Sequence, residues 1–297
     1  MQSVNNTTKR LTSPKWLTDF SVSPHKRGFF ISDDEFALQH TDRDSSTLYV
    51  GFDNLAGARS SYRIRDPWGY TFAEKSGWSY LGGFAFSPNW YRNTRLFYTL
   101  QKLSDDGFFE KYEKVVFSGS SMGGYAACAF SSLSPNSIVI AFSPQSTLCP
   151  KIVGWETRFR SGRKADWNGP YSDAANELQH AKKAWIIYDP KTHLDQQHAI
   201  RLRAPNVTLL KASRTNHTTI QVLRKIGILS TIVRECVDES MSDTRFYELF
   251  RKRRESHAFL QRFAEDVGAS KSVVRKERLR DILYQMKKPA LADRLFK

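Results

Sequence analysis

The chain has 297 residues, an ordinary 40% apolar content and a formal net charge of +15, so it can bury a full core and present a basic surface. No run of about 18 apolar residues occurs, and the stretch Met1 to Arg10 lacks the apolar centre of a secretory signal, so neither a transmembrane segment nor export is expected. Three widely spaced cysteines, Cys128, Cys149 and Cys236, exclude a disulfide framework and a zinc knuckle, which makes a reducing cytoplasm the expected compartment.

Residues 1–27 are polar and without period, a lead-in. Strand-like text begins at Phe29-Phe30-Ile31-Ser32 and strengthens at 47–52, which ends in the turn-prone Asp53-Asn54. A third strand is expected over 78–86, stopped by Pro88. A helix follows over 91–105, with Leu96, Phe97, Leu100 and Leu103 near one face. Strands are then expected at 114–118, 137–142, 184–188 and 206–210. Helices are expected from the first of these to about 133, at 195–203 with Asp195 as N-cap, and at 218–234. Residues 148–175 are irregular. Strands alternating with helices predict an α/β fold, a doubly wound and mostly parallel sheet covered on both faces, over 28–234. Residues 235–297 are charged and helix-prone, a small helical appendage with a packing stripe of Tyr247, Leu249, Phe250, Phe259, Leu260 and Phe263.

The most informative run is Val115-Val116-Phe117-Ser118-Gly119-Ser120-Ser121-Met122-Gly123-Gly124-Tyr125-Ala126-Ala127. A β-branched and aromatic strand leads into G-x-S-x-G and then into small helix-opening residues, the pattern of a nucleophile elbow. The elbow puts Ser121 in a sharp strand-to-helix turn with its Oγ exposed, next to N–H groups where an oxyanion would form. The bland alternative is a Gly/Ser loop before a core helix. A nucleophilic serine needs a base and an orienting acid, in the chain order serine, acid, histidine. His217 follows the 206–210 strand by a short loop and fits the base. His180 precedes a strand, His257 lies in the appendage, and His193 and His198 come one strand too early. Asp189 and Asp195 both follow the 184–188 strand, and the residues do not choose between them. The oxyanion donors expected are the backbone N–H of Met122 and that of Phe52 or Asp53, with the Asn54 side chain as a substitute.

Over residues 28–234 the chain resembles the α/β-hydrolase superfamily. The resemblance rests on Gly119-Ser120-Ser121-Met122-Gly123-Gly124-Tyr125-Ala126, Ala141-Phe142-Ser143-Pro144-Gln145, Tyr188-Asp189-Pro190 through Asp195, and His217. More narrowly it is similar to bacterial α/β-hydrolase-like proteins that share the Ser-Ser-Met-Gly-Gly-Tyr-Ala-Ala elbow, an Asn-Trp-Tyr like Asn89-Trp90-Tyr91 and the Ser-Pro-Gln. Some of these are linked to surface glycans. The usual His-Gly after the early strand is Val50-Gly51 here, and the usual Gly-His is Asn216-His217. The Gly-x-x-Asp after the penultimate strand has no clean match.

These residues lead to the expectation of a serine esterase or deacylase. It would cleave a carboxylic ester or thioester through an acyl-enzyme on Ser121, with no cofactor and no metal. Trp155, Trp167, Arg158, Arg160 and Arg163 would suit an acidic or sugar-bearing ester, such as an acylated glycan; the bland alternative is a solvated basic loop with the two tryptophans in the core. The alternatives are an acyltransferase on the same triad and a non-catalytic interaction protein with a basic surface. Residues 231–297 hold 16 Lys/Arg and 11 Asp/Glu, a net of +5 against +10 for the rest, so the charge reads as spread. It is compatible with a polyanionic partner. Paired Cys/His fingers and an aromatic RNP strand are missing, so nucleic acid is not expected, and the oligomeric state is left open.

Overall fold

The computed structural model describes residues 14–17, 27–63 and 65–296. The polar lead-in therefore lies largely outside the described residues. Its described part is anchored by Trp16, which is buried, stacks on Phe30 at 5.0 Å and donates its indole N–H to the Arg65 carbonyl at 2.8 Å.

Eight strands among the described residues form one sheet. They are β1 (Arg27–Ser32), β2 (Phe36–Asp42), β3 (Thr47–Phe52), β4 (Ser79–Ala85), β5 (Lys114–Ser120), β6 (Ile138–Phe142), β7 (Lys183–Tyr188) and β8 (Val207–Lys211). Their order is β1-β2-β4-β3-β5-β6-β7-β8. β2 runs antiparallel to β1 and β4, and every pair from β4 to β8 is parallel. With helices on both faces, this is the α/β-hydrolase fold. The sequence periodicity gives no warning of β2, because Phe36-Ala37-Leu38-Gln39-His40 is buried throughout and carries polar residues inside. Gln39 Nε2 donates to Thr41 Oγ1 at 2.6 Å while its buried Oε1 has no partner among the described residues, and His40 Nε2 lies 2.9 Å from the Tyr112 hydroxyl.

Period-two alternation splits the strand side chains between two cores. Val50, Phe52, Phe117, Ala141 and Ile186 face one layer of helices, and Tyr49, Val116, Ile140, Trp185 and Ile187 face the other. The helices begin with α1 (Leu55–Ala58), α2 (Tyr70–Lys75) and α3 (Thr94–Asp105). α3 starts three residues later than its apolar pattern suggests, because Trp90 and Tyr91 both hold φ near +55° and Asn93 caps the Leu96 N–H at 2.9 Å. Next come α4 (Met122–Ala129), α5 (Arg160–Arg163), α6 (Ala174–Glu177) and α7 (His193–Arg201). The N-cap of α7 is Thr192, not Asp195, which sits inside the first turn. The last core helix is two helices, α8 (Thr219–Lys225) and α9 (Leu229–Val237), parted at Gly227 with φ +71°.

Beyond α9, α10 (Asp243–Phe250) buries Phe246 and Phe250 in the same core as β6 and β7, whereas Tyr247 is exposed. α11 (His257–Gly268), α12 (Val273–Gln285) and α13 (Pro289–Ala292) close around a separate small core of Phe259, Leu260, Ala264, Leu279, Leu283 and Leu291. The stripe read from the sequence thus serves two cores. No helix among the described residues is long and apolar enough to cross a membrane.

Candidate active site

The loops at the carboxyl ends of β3, β5, β7 and β8 meet on one rim of the sheet, the place where parallel α/β sheets assemble their sites. After β5 the chain turns at Ser121, with φ +55° and ψ −116°, and enters α4. Two close approaches make that turn possible. A Cβ on Gly119 would lie 2.1 Å from the Gly123 carbonyl oxygen, and one on Gly123 would lie 2.3 Å from the Phe52 carbonyl oxygen. Only glycine fits at either place. Ser121 is 8% exposed; its N–H donates to Phe142 O at 2.9 Å and its carbonyl accepts from Tyr125 N.

The Ser121 hydroxyl lies 2.8 Å from His217 Nε2. His217 Nδ1 in turn lies 2.8 and 3.0 Å from the two carboxylate oxygens of Asp195. His217 sits in a one-turn 3₁₀ segment after β8, where Asn216 adopts φ +53°. A glycine suits that conformation and asparagine tolerates it, which accounts for Asn in place of the usual Gly.

Asp189 does not reach His217. Its Oδ2 accepts the Asn216 N–H at 2.7 Å and its Oδ1 accepts the Lys191 N–H at 2.9 Å, so this buried carboxylate organises the loop on which the histidine rides. The two aspartates that sequence could not separate have different partners.

Asp195 is backed by charges absent from the sequence reading of the triad. Arg158 donates to Asp195 Oδ1 at 2.7 Å and forks onto both oxygens of Glu156 at 2.7–3.1 Å. Glu156 is fully buried and also accepts from His198 Nε2 at 3.1 Å. The Ser146 N–H donates to His198 Nδ1 at 3.1 Å, so that nitrogen is bare and the proton of the neutral ring is on Nε2. Burial opposes ionisation of Glu156, yet the bonds from His198 and Arg158 overcome it and hold its pKa at about 2. Burial also opposes ionisation of Asp195, and the pairing with His217 and Arg158 holds its pKa below the usual carboxylate value. Burial keeps the pKa of His198 below 6.5. Arg158 is therefore committed to Asp195 rather than to a ligand. Arg163 and Trp167 are likewise engaged, with the Val153 and Gly162 carbonyls, and Trp155 lies on His198 at 4.6 Å. Of the five aromatic and basic residues expected to meet a substrate, Arg160 is exposed and has no such engagement among the described residues.

The Asn-Trp-Tyr and Ser-Pro-Gln motifs meet each other. Trp90 donates its indole N–H to Gln145 Oε1 at 2.8 Å, and the Tyr91 hydroxyl donates to the carbonyls of Asp53 and Gly83, each at 3.0 Å. They fix the loop after β3 behind the serine. In that loop the expected oxyanion donors change. Phe52 lies within the sheet opposite Gly83 and Gly119, and the Asp53 N–H already donates to the Gly83 carbonyl at 3.1 Å. The Asp53 carboxylate pairs with Arg65; burial raises its pKa to about 6. Asn54 Oδ1 caps α1 through the N–H groups of Ala56 and Gly57. The Met122 N–H, first in α4, has no acceptor among the described residues, and the same holds for the Asn54 N–H.

The chain is similar to several solved structures. An esterase of Pyrococcus furiosus shares 17% identity at a TM-score of 0.48, over 76% of this chain and 94% of that one. Est1E from Butyrivibrio proteoclasticus shares 11% at 0.44, over 71% and 99%. The capsule O-acetyltransferase of Neisseria meningitidis serogroup A shares 14% at 0.43, over 69% and 94%. No protein-family model matches the chain, and no curated protein matches it.

Among the described residues no group of three His, Cys, Asp or Glu side chains is placed to hold a metal ion. Cys128 and Cys236 are buried free thiols, and burial pushes both pKa values up, so neither is poised as a nucleophile.

Proposed function

We propose that the protein is a serine-dependent acyl hydrolase acting on a carboxylic ester or thioester. One observation carries the reading: the continuous chain Ser121 Oγ, His217 Nε2, His217 Nδ1, Asp195, at 2.8 Å per link. Asp195 holds the proton of the neutral imidazole on Nδ1, which leaves Nε2 free to take the proton of the Ser121 hydroxyl as the oxygen attacks the acyl carbon. The negative charge that develops on the carbonyl oxygen is met by the Met122 N–H at the start of α4, with the Asn54 N–H as the second donor in place of Phe52 or Asp53. The imidazolium then gives its proton to the leaving oxygen or sulfur, and an acyl-Ser121 ester remains. Water, deprotonated by the same nitrogen, releases the acid and restores the hydroxyl. Each oxyanion donor is worth roughly 3–4 kcal/mol of barrier in comparable sites.

The test is labelling of the purified protein with a fluorophosphonate probe. Wild type labels on Ser121, and Ser121→Ala and His217→Ala do not. A folded wild type that stays unlabelled sinks the reading and returns the protein to the class of non-catalytic hydrolase folds.

A further inference from the structure

Beside the triad lies a cavity of about 380 Å³, walled by Leu55, Trp90 and Phe159 and by the side chains of Arg59, Arg158 and Arg160. It belongs to the same site. The Phe159 ring is 5.8 Å from the His217 ring, Arg158 bonds Asp195, and Leu55 opens α1 directly after Asn54 in the loop that follows β3.

The charge in this wall is unevenly matched. Arg158 is neutralised by Glu156 and Asp195. Arg59 and Arg160 are both exposed, and neither has a carboxylate partner among the described residues. Two unneutralised guanidiniums thus border a cavity with an apolar wall, since Trp90 is fully buried and tilts against Phe159 at 5.0 Å. Low-polarity walls strengthen the attraction of such a site for an anion and leave a neutral ligand unaffected. Guanidinium forks match the planar carboxylate and the phosphate alike.

We infer that this cavity takes an acidic group on the polyol side of the ester, a carboxylate or a phosphate, with Arg59 and Arg160 as its charge contacts. The inference rests on the hydrolase reading and adds the substrate class: an O-acylated acidic sugar rather than a neutral one.

The experiment compares kcat/KM for O-acetylated glucuronate, O-acetylated glucose 6-phosphate and O-acetylated glucose, in wild type and in Arg59→Gln/Arg160→Gln. At least one acidic ester is turned over about tenfold or more faster than the neutral one, mainly through KM, and the advantage shrinks as salt is raised. The acid that is preferred identifies its chemistry. In the double variant the ratio of acidic to neutral ester falls to within about twofold of one. Equal turnover of all three esters by wild type overturns the inference, and so does a preference that survives the substitutions. Fluorophosphonate labelling of wild type separates the two claims. If Ser121 labels but the charge preference is missing, only the substrate class fails. If Ser121 does not label, calorimetric titration of Ser121→Ala with glucuronate and glucose 6-phosphate still decides the cavity. Binding that the two arginine substitutions remove upholds it, and no heat up to about 10 mM ligand overturns it.

Discussion

At the residue scale the decisive question is which carboxylate serves His217. Asp195 touches the imidazole and Asp189 the backbone of the preceding residue. Asp195→Asn is expected to lower kcat for ester hydrolysis by about 10³–10⁴-fold, because an amide does not hold the required tautomer. Asp189→Asn keeps an oxygen that can accept from the Asn216 N–H, so kcat stays within about tenfold of wild type. Steady-state kinetics on a p-nitrophenyl ester separate the two, and equal losses would contradict the assignment. Glu156 makes a pH prediction with a definite sign. Its pKa is about 2 in the folded chain against 4.5 for the free group, so in acid the unfolded chain binds the extra proton. The stabilisation is complete above pH 4.5 and is lost as pH falls toward 2. His198, with its pKa held below 6.5, bends the curve the same way, because unfolding lets it charge. Glu156→Gln leaves Arg158 and His198 facing an uncharged amide and is expected to cost about 3–5 kcal/mol at neutral pH. Its stability curve should then be flatter between pH 4.5 and 2 in denaturant titrations across that range. The Ser121 and His217 positions were legible in the sequence, because a strand–G-x-S-x-G–helix and a loop after the last strand are local patterns. The roles of Glu156 and Arg158 were not, since the bond from Arg158 to Asp195 spans 37 residues.

At the scale of elements, the loops that carry the site are tied down by a helix outside the sheet. Asp266 on α11 binds Lys191 Nζ at 2.9 Å and Arg214 Nε at 2.7 Å, one partner from the loop after β7 and one from the loop after β8. Arg214 also lies over the Phe263 ring at 4.5 Å, and Arg262 donates to the Arg214 carbonyl at 3.1 Å. These ion pairs are partly exposed, so each contributes about 1 kcal/mol or less to stability. Their effect is expected in local motion. Asp266→Ala should speed amide exchange across residues 212–217 while moving Tm by only a few degrees. Hydrogen exchange followed by mass spectrometry reads this, and unchanged protection in that loop would show that α11 does not restrain it. Helix existence in the C-terminal region was legible from composition. Its partition was not, because apolar spacing tells which face is buried and not against which core.

For the whole molecule, the division of the C-terminal helices between two cores redraws the charge map. Residues 251–297 hold 14 Lys/Arg and 6 Asp/Glu, a net of +8, and residues 231–250 hold 2 and 5, a net of −3. A cut at 231 averages an acidic segment with a strongly basic one and makes the charge look spread. The same division predicts truncation behaviour. A chain ending at residue 242 loses Phe246 and Phe250 from the core shared with β6 and β7, at about 3–5 kcal/mol for each ring. A chain ending at residue 255 keeps both. Thermal unfolding should show a cooperative transition for the longer chain and a much weaker one for the shorter, and equal transitions would place α10 outside the core. The sequence by itself determined the alternation of strand and helix, the strained serine turn and the histidine one strand after the acid, because these depend on neighbours within a few residues. The tertiary structure alone decided which aspartate meets that histidine, that Arg158 is spent on it, and that Trp90 meets Gln145. Such contacts join segments far apart in the chain, and sheet order, not local spacing, brings them together.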